Sequence, residues 1–131
     1  MKKLNEKIWH AIFSWDAYNA VAQELQNIES QKRVWVGLHI LKHYESKLEI
    51  HRYKLLKNCL PNKFTLIIFE MDKSRLEELK KYDDEIDSEN DINLLEKFCF
   101  NSEEELYEIC YKNNINPEKF NQVWKCEYPL D

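Results

Sequence analysis

Glycine is nearly missing from this chain: Gly37 is the one copy in 131 residues. Loops that cradle a phosphate rely on several spaced glycines, so nucleotide-binding patterns of that kind are excluded. The shortage also argues against a fold of tight hairpins, whose two-residue turns favour Asn-Gly or Asp-Gly. Long apolar runs are missing as well. Stretches such as Leu66-Ile67-Ile68-Phe69 fall far short of the roughly 20 residues that cross a bilayer. The start Met1-Lys2-Lys3 is positive like that of a signal peptide, but Glu6, Lys7 and His10 interrupt the apolar stretch that must follow. These absences point to a cytoplasmic protein. Cys59, Cys99, Cys110 and Cys126 contain no C-x-x-C pair, which leaves a zinc ribbon unsupported. They are expected to be reduced thiols that simply pack.

What is present is material for a core. Hydrophobic residues make up 44% of the chain, including 4 Trp, 7 Tyr and 6 Phe, enough for a single domain over residues 1–131. Leu4, Ile8, Ala11, Trp15, Tyr18, Ala22 and Leu25 alternate spacings of four and three, which puts them on one helical face. Ser30 offers a cap for a second helix, Gln31 to Cys59, on the rhythm of Val34, Leu38, Leu41, Leu48 and Leu55, with Pro61 as its stop. The two would form an antiparallel hairpin. Val34-Trp35-Val36 favours a strand instead and is the weak point of this reading.

Phe64 to Phe69 is the best strand candidate, turning into helix from Asp72 to Tyr82, with Phe98-Phe100 and Val123-Cys126 as weak partners. Ser102 and Glu105 have capping-box spacing for a helix burying Leu106, Ile109 and Cys110. Asn116-Pro117 repeats a start signal, with Phe120, Val123 and Trp124 facing inward. The expected fold is mainly α: one helix-rich domain with an N-terminal helical hairpin, or α+β with a small sheet around residues 64–69.

Charge is divided unevenly. Residues 1–66 carry 11 Lys+Arg against 6 Asp+Glu, whereas residues 67–131 carry 8 against 18. Asp83 to Asp91 holds six acids in nine residues and reads as a loop. An acidic surface of this kind can steer and dock a basic protein. The candidate partner-binding residues are therefore Asp72, Glu77, Asp83, Asp84, Glu85, Asp87, Glu89 and Asp91. The leading reading is a non-catalytic interaction module, an immunity- or antitoxin-like inhibitor of a basic toxin such as a nuclease.

Two alternatives use other residues. The basic segment 30–63 interleaves Trp35, Tyr44 and Tyr53 with lysines and arginines, a composition suited to a helix facing nucleic acid. His39 and His43 stand four apart on the same expected helix, where two imidazoles could share a metal in a hydrolase. The H-E-x-x-H form is absent, and Lys42 and Lys47 would repel a cation. No pair of carboxylates or cysteine context singles out a catalytic residue, so no enzyme activity, metal or cofactor is expected.

Overall fold

Residues 2–14, 19–27, 31–43, 54–87 and 90–130 are described by a computed structural model. Its centre is a five-stranded antiparallel sheet in the order β4-β3-β2-β1-β5. The strands are β1 (Ala20–Leu25), β2 (Lys32–Ile40), β3 (Phe64–Asp72), β4 (Asn93–Phe100) and the two-residue β5 (Asn121–Gln122). Among the described residues three α-helices accompany it: α1 (Glu6–Trp9), α2 (Lys73–Tyr82) and α3 (Glu103–Lys112). The mainly α expectation is overturned.

The helical hairpin fails at both arms. The first arm starts as helix, where α1 runs into a π-helical turn at His10–Ser14 that buries Ala11 and Ile12, and ends as strand. Trp15, Asp16 and Tyr18 lie outside the described residues. Ala22 and Leu25 then fall on β1, where Val21 and Leu25 point to one side and Ala22 to the other. The second arm opens as β2, nine residues paired with β3 from Lys32↔Asp72 to Ile40↔Phe64, while Ser30 and residues 44–53, Leu48 among them, lie outside the described residues. Val34, Val36, Leu38 and Ile40 pack on one face of the sheet, while Trp35 packs on the other. A strand buried on both faces is apolar throughout, so its period of two leaves no polar alternation to read.

The two apolar faces dictate the layers. On one face, α1, the π turn, α3 and residues 115–120 cover Val36, Leu38, Leu66 and Phe100. On the other, α2, Leu55 and a C-terminal segment through Tyr128 cover Trp35, Ile67 and Phe69. Phe64 stacks on its cross-strand partner Phe100 at 5.4 Å, and Trp35 stacks on Phe69 at 5.9 Å. Ser102 caps α3 by accepting from the Glu105 amide at 3.2 Å, as its spacing predicts. Asn116 caps only a short 3-10 turn, Pro117–Lys119. Val123–Cys126 is a second 3-10 turn, which leaves Trp124 65% exposed where an inward residue was expected.

The scarce glycine has a packing reason. Gly37 does not have positive φ; the residues that do are Asn58, Asp83, Asn114 and Glu127. Asn and Asp tolerate that region well enough for this chain to turn without glycine. At Gly37 a methyl group would overlap the hydroxyl end of the Tyr128 ring, which lies against the middle of β2. Gly37→Ala should therefore cost about 1–3 kcal/mol, the usual range for forcing a methyl into a packed core. Urea unfolding checks this. In a Tyr128→Ala background the cost should shrink sharply, and equal costs in both backgrounds would mean that ring and glycine are not coupled.

Candidate functional site

The carboxylates singled out above follow one another along the chain from the last residue of β3, and their roles divide. Asp72 ends β3 and stands at the N-terminus of α2, exposed, without a side-chain cap bond. Glu77 is exposed on α2. Asp83 closes that helix in the left-handed region (φ 52°), and Asp84 donates its amide to the Leu79 carbonyl at 3.0 Å. Asp83, Asp84, Glu85 and Asp87 are all exposed, while Ile86 between them packs into the core beside α2. Glu89 lies outside the described residues.

Asp91 is different: its side chain is only 8% exposed, and it acts as a strut. Arg75 Nε donates to Asp91 Oδ1 at 2.8 Å and Nη2 to Oδ2 at 3.4 Å, a two-pronged grip on one carboxylate. The Asp87 amide donates to Asp91 Oδ2 at 2.8 Å, and the Asp91 amide returns to the Asp87 carbonyl at 2.8 Å. The Asp87 carboxylate accepts from the Asn90 side chain at 2.7 Å. The loop is thus tied to α2 from within. Arg75, the residue that organises it, was visible in the sequence only as a cation among acids.

The Arg75 guanidinium, with the Asp87 amide as a further donor, holds the Asp91 carboxyl below its ordinary range. Beside it Glu70 accepts from Asn93 at 2.8 Å and from Lys32 at 3.2 Å, and these bonds, Asn93 first, hold its carboxyl low as well. Lys32, Glu70, Asp72, Asn90, Asp91 and Asn93 line a small cleft of about 100 Å³. The exposed aromatic nearest in sequence is Tyr82, 63% accessible at the end of α2.

The features behind the alternatives are rearranged. Trp35 is fully buried, and its Nε1 donates to the Cys126 carbonyl at 2.9 Å. Arg33 packs its guanidinium over Trp35 at 4.6 Å and forms a two-pronged pair with Glu24 at 2.7 and 2.8 Å. Lys32 and Arg33 are thus structural ties, and residues 32–40 present no aromatic-studded helix to a nucleic acid. Tyr44 and Tyr53 lie outside the described residues. His39 sits on β2, so the four-residue helical spacing to His43 does not exist. Its Nε2 lies 2.9 Å from the Tyr128 hydroxyl, and burial pushes its pKa down to about 4.

A groove of about 550 Å³ lies against α3, away from the acidic stretch, and is lined in part by Tyr107, Cys110, Tyr111 and Ile115. Burial pushes the Tyr107 phenol and the Cys110 thiol each up to about 12, so neither is ionised near neutrality. That groove offers apolar shape without an activated nucleophile. Among the described residues no three His, Cys, Asp or Glu side chains converge as metal ligands, and no helix is long and apolar enough to cross a membrane. In comparisons with known proteins, no protein family, no curated protein and no solved structure matches this chain.

Two pH dependences follow. His39 is neutral in the fold but takes a proton near its ordinary 6.5 once unfolded, so stability should fall as pH drops from 6.5 towards 4. His39→Gln should flatten the unfolding midpoint across that window; an unchanged slope would place the acid sensitivity elsewhere. The depressed Asp91 carboxyl contributes stability that is present above its unfolded pKa and lost as pH falls through its folded one. Asp91→Asn should therefore trail the parent protein at neutral pH and converge with it in acid, as read from denaturant midpoints.

Proposed function

We propose that this chain is a non-catalytic protein-interaction module, an immunity- or antitoxin-like inhibitor that docks on a basic partner such as a nuclease toxin and neutralises it. The observation that carries this reading is the run of exposed carboxylates at Asp83, Asp84, Glu85 and Asp87, anchored at one end by the α2 cap and at the other by the Asp87 bonds to Asn90 and Asp91. A preorganised charged loop loses little entropy on binding, so more of its Coulomb energy reaches the complex. Asp72 and Glu77 extend the negative surface along α2. Tyr82, exposed beside the loop, supplies the type of aromatic anchor enriched at binding hot spots. The proposed setting is the cytoplasm, where thiols stay reduced.

Steering by such a surface acts over about a Debye length, roughly 8–10 Å at physiological ionic strength. The association rate should therefore fall steeply as salt is added, by 10-fold or more on the scale typical of steered encounters. The test starts from the partner captured at low salt, joined to the protein by a carbodiimide that couples carboxylates to lysines. A basic partner cross-linked through residues 83–87 is expected. Reversing Asp83, Asp84 and Glu85 to Lys should slow association while the unfolding midpoint holds. An acidic partner, or a rate indifferent to the reversal, would sink the reading.

A further inference from the structure

Lys97 and Cys99 on β4, and Asn101 just beyond it, follow the alternation of a strand and meet one bent segment, residues 57–63. Lys97 Nζ donates to the Lys57 carbonyl at 2.7 Å. Asn101 accepts from the Lys63 amide at 2.9 Å and donates to Asn62 Oδ1 at 3.0 Å. Between these two fixed points lie Cys59 and Cys99, packed in one small apolar cluster with Leu41 and Leu56, and the Cys59 thiol donates to the Lys57 carbonyl at 3.8 Å. Cys59 is held tightly in place: its amide donates to Leu56, and its carbonyl accepts twice from Asn62 at 2.9 Å.

The surroundings of this pair are chemically unusual for a core. Thr65 stands opposite Cys99 in the β3–β4 register, and its hydroxyl is fully buried without a hydrogen-bond partner. Burial first, and the neighbouring Cys99 thiol after it, push the Cys59 thiol up to about 11, while the Lys97 ammonium acts in the opposite sense. Cys59 is inaccessible, but Cys99 is only half-buried, so a reagent from solvent meets Cys99 first. Cys110 is buried and pushed up by burial alone, with no second thiol among its perturbing neighbours.

We propose that Cys59 and Cys99 form a thiol–disulfide exchange site that reacts with small-molecule disulfides of the glutathione class. The Cys99 thiolate attacks one sulfur of the external disulfide; that S–S bond breaks, and one small thiolate leaves and is protonated. The Cys59 thiolate then attacks the Cys99 sulfur, expelling the second small thiolate and leaving a Cys59–Cys99 disulfide. Two protein thiols lose two electrons and two protons, and the external disulfide is reduced to two thiols. The link bridges residues 40 positions apart and locks segment 57–63 onto the sheet edge. In a reducing compartment it would be transient, which suits redox sensing rather than permanent stapling.

The test treats the folded protein with oxidised glutathione, blocks remaining thiols with iodoacetamide and maps the peptides by mass spectrometry. A Cys59–Cys99 link is expected in the native chain, reversible by dithiothreitol. Cys59→Ser should stop at a glutathione adduct on Cys99, and Cys99→Ser should leave Cys59 unmodified. A native chain that accumulates the Cys99 adduct without closing the link, or that reacts at neither residue, would overturn the proposal. So would a link that forms only after unfolding in urea. Peptide mapping of the native chain decides the matter even if a variant fails to fold.

Discussion

The central strands of this sheet are buried on both faces, and nearly everything else in the molecule answers to that constraint. Trp35, Leu38, Ile40, Leu66, Ile67 and Phe69 have no exposed surface at all. An antiparallel sheet commonly leaves one side to solvent. Here α1 and α3 must close one side, and α2 and the C-terminal segment must close the other. Tyr128 completes the second cover by lying on Gly37 and reaching His39, so a phenol and an imidazole satisfy each other inside an apolar layer. The glycine is needed for the space its missing side chain leaves.

Double-sided burial also determines where the charges go. With the sheet interior closed to them, Lys32 and Arg33 emerge at its end and pair with Glu70 and Glu24. Glu127, at the left-handed end of the C-terminal turn, reaches both Lys80 on α2 and Arg33 on β2. Individually such partly exposed pairs contribute little. Their effect is to tie the C-terminal cover to the elements it must cover. These ties neutralise Glu70 and Glu127 of the acidic half, whereas Asp72, Glu77, Asp83, Asp84 and Glu85 have no ion pair among the described residues. The edge strand β4 carries Glu96 and Lys97 beside an irregularity that leaves Leu95 without a partner in register, devices that discourage pairing with another sheet.

Part of this arrangement was legible in the residues. The strand at Phe64, the helix that follows from Asp72, the Ser102 cap and the turn-rich acidic loop all rest on local chemistry, and all four are present. Asp83, Asp84, Glu85 and Asp87 lie exposed in the non-helical stretch after α2, but Asp91 could not be told from its neighbours. Its role depends on Arg75, sixteen positions away, and composition does not show which of many carboxylates a guanidinium will grip. Lys32 and Arg33 looked like a basic face because their acidic partners come from other strands.

The sequence by itself determined the apolar content, the charge division, the caps and the stops, since each depends on a residue and its near neighbours. Only tertiary structure decided that residues 20–25 and 32–40 are strands. A segment apolar on every side fits a buried helix and a doubly covered strand equally well by periodicity. The choice falls to the partners. Once Phe64 to Asp72 forms a strand, its backbone groups are satisfied by β2 on one side and β4 on the other, and β1 in turn pairs with the far side of β2. That satisfaction of hydrogen bonds across the chain outweighs the helical rhythm of Leu4, Ile8 and Ala11 as soon as the rhythm leaves its first turns.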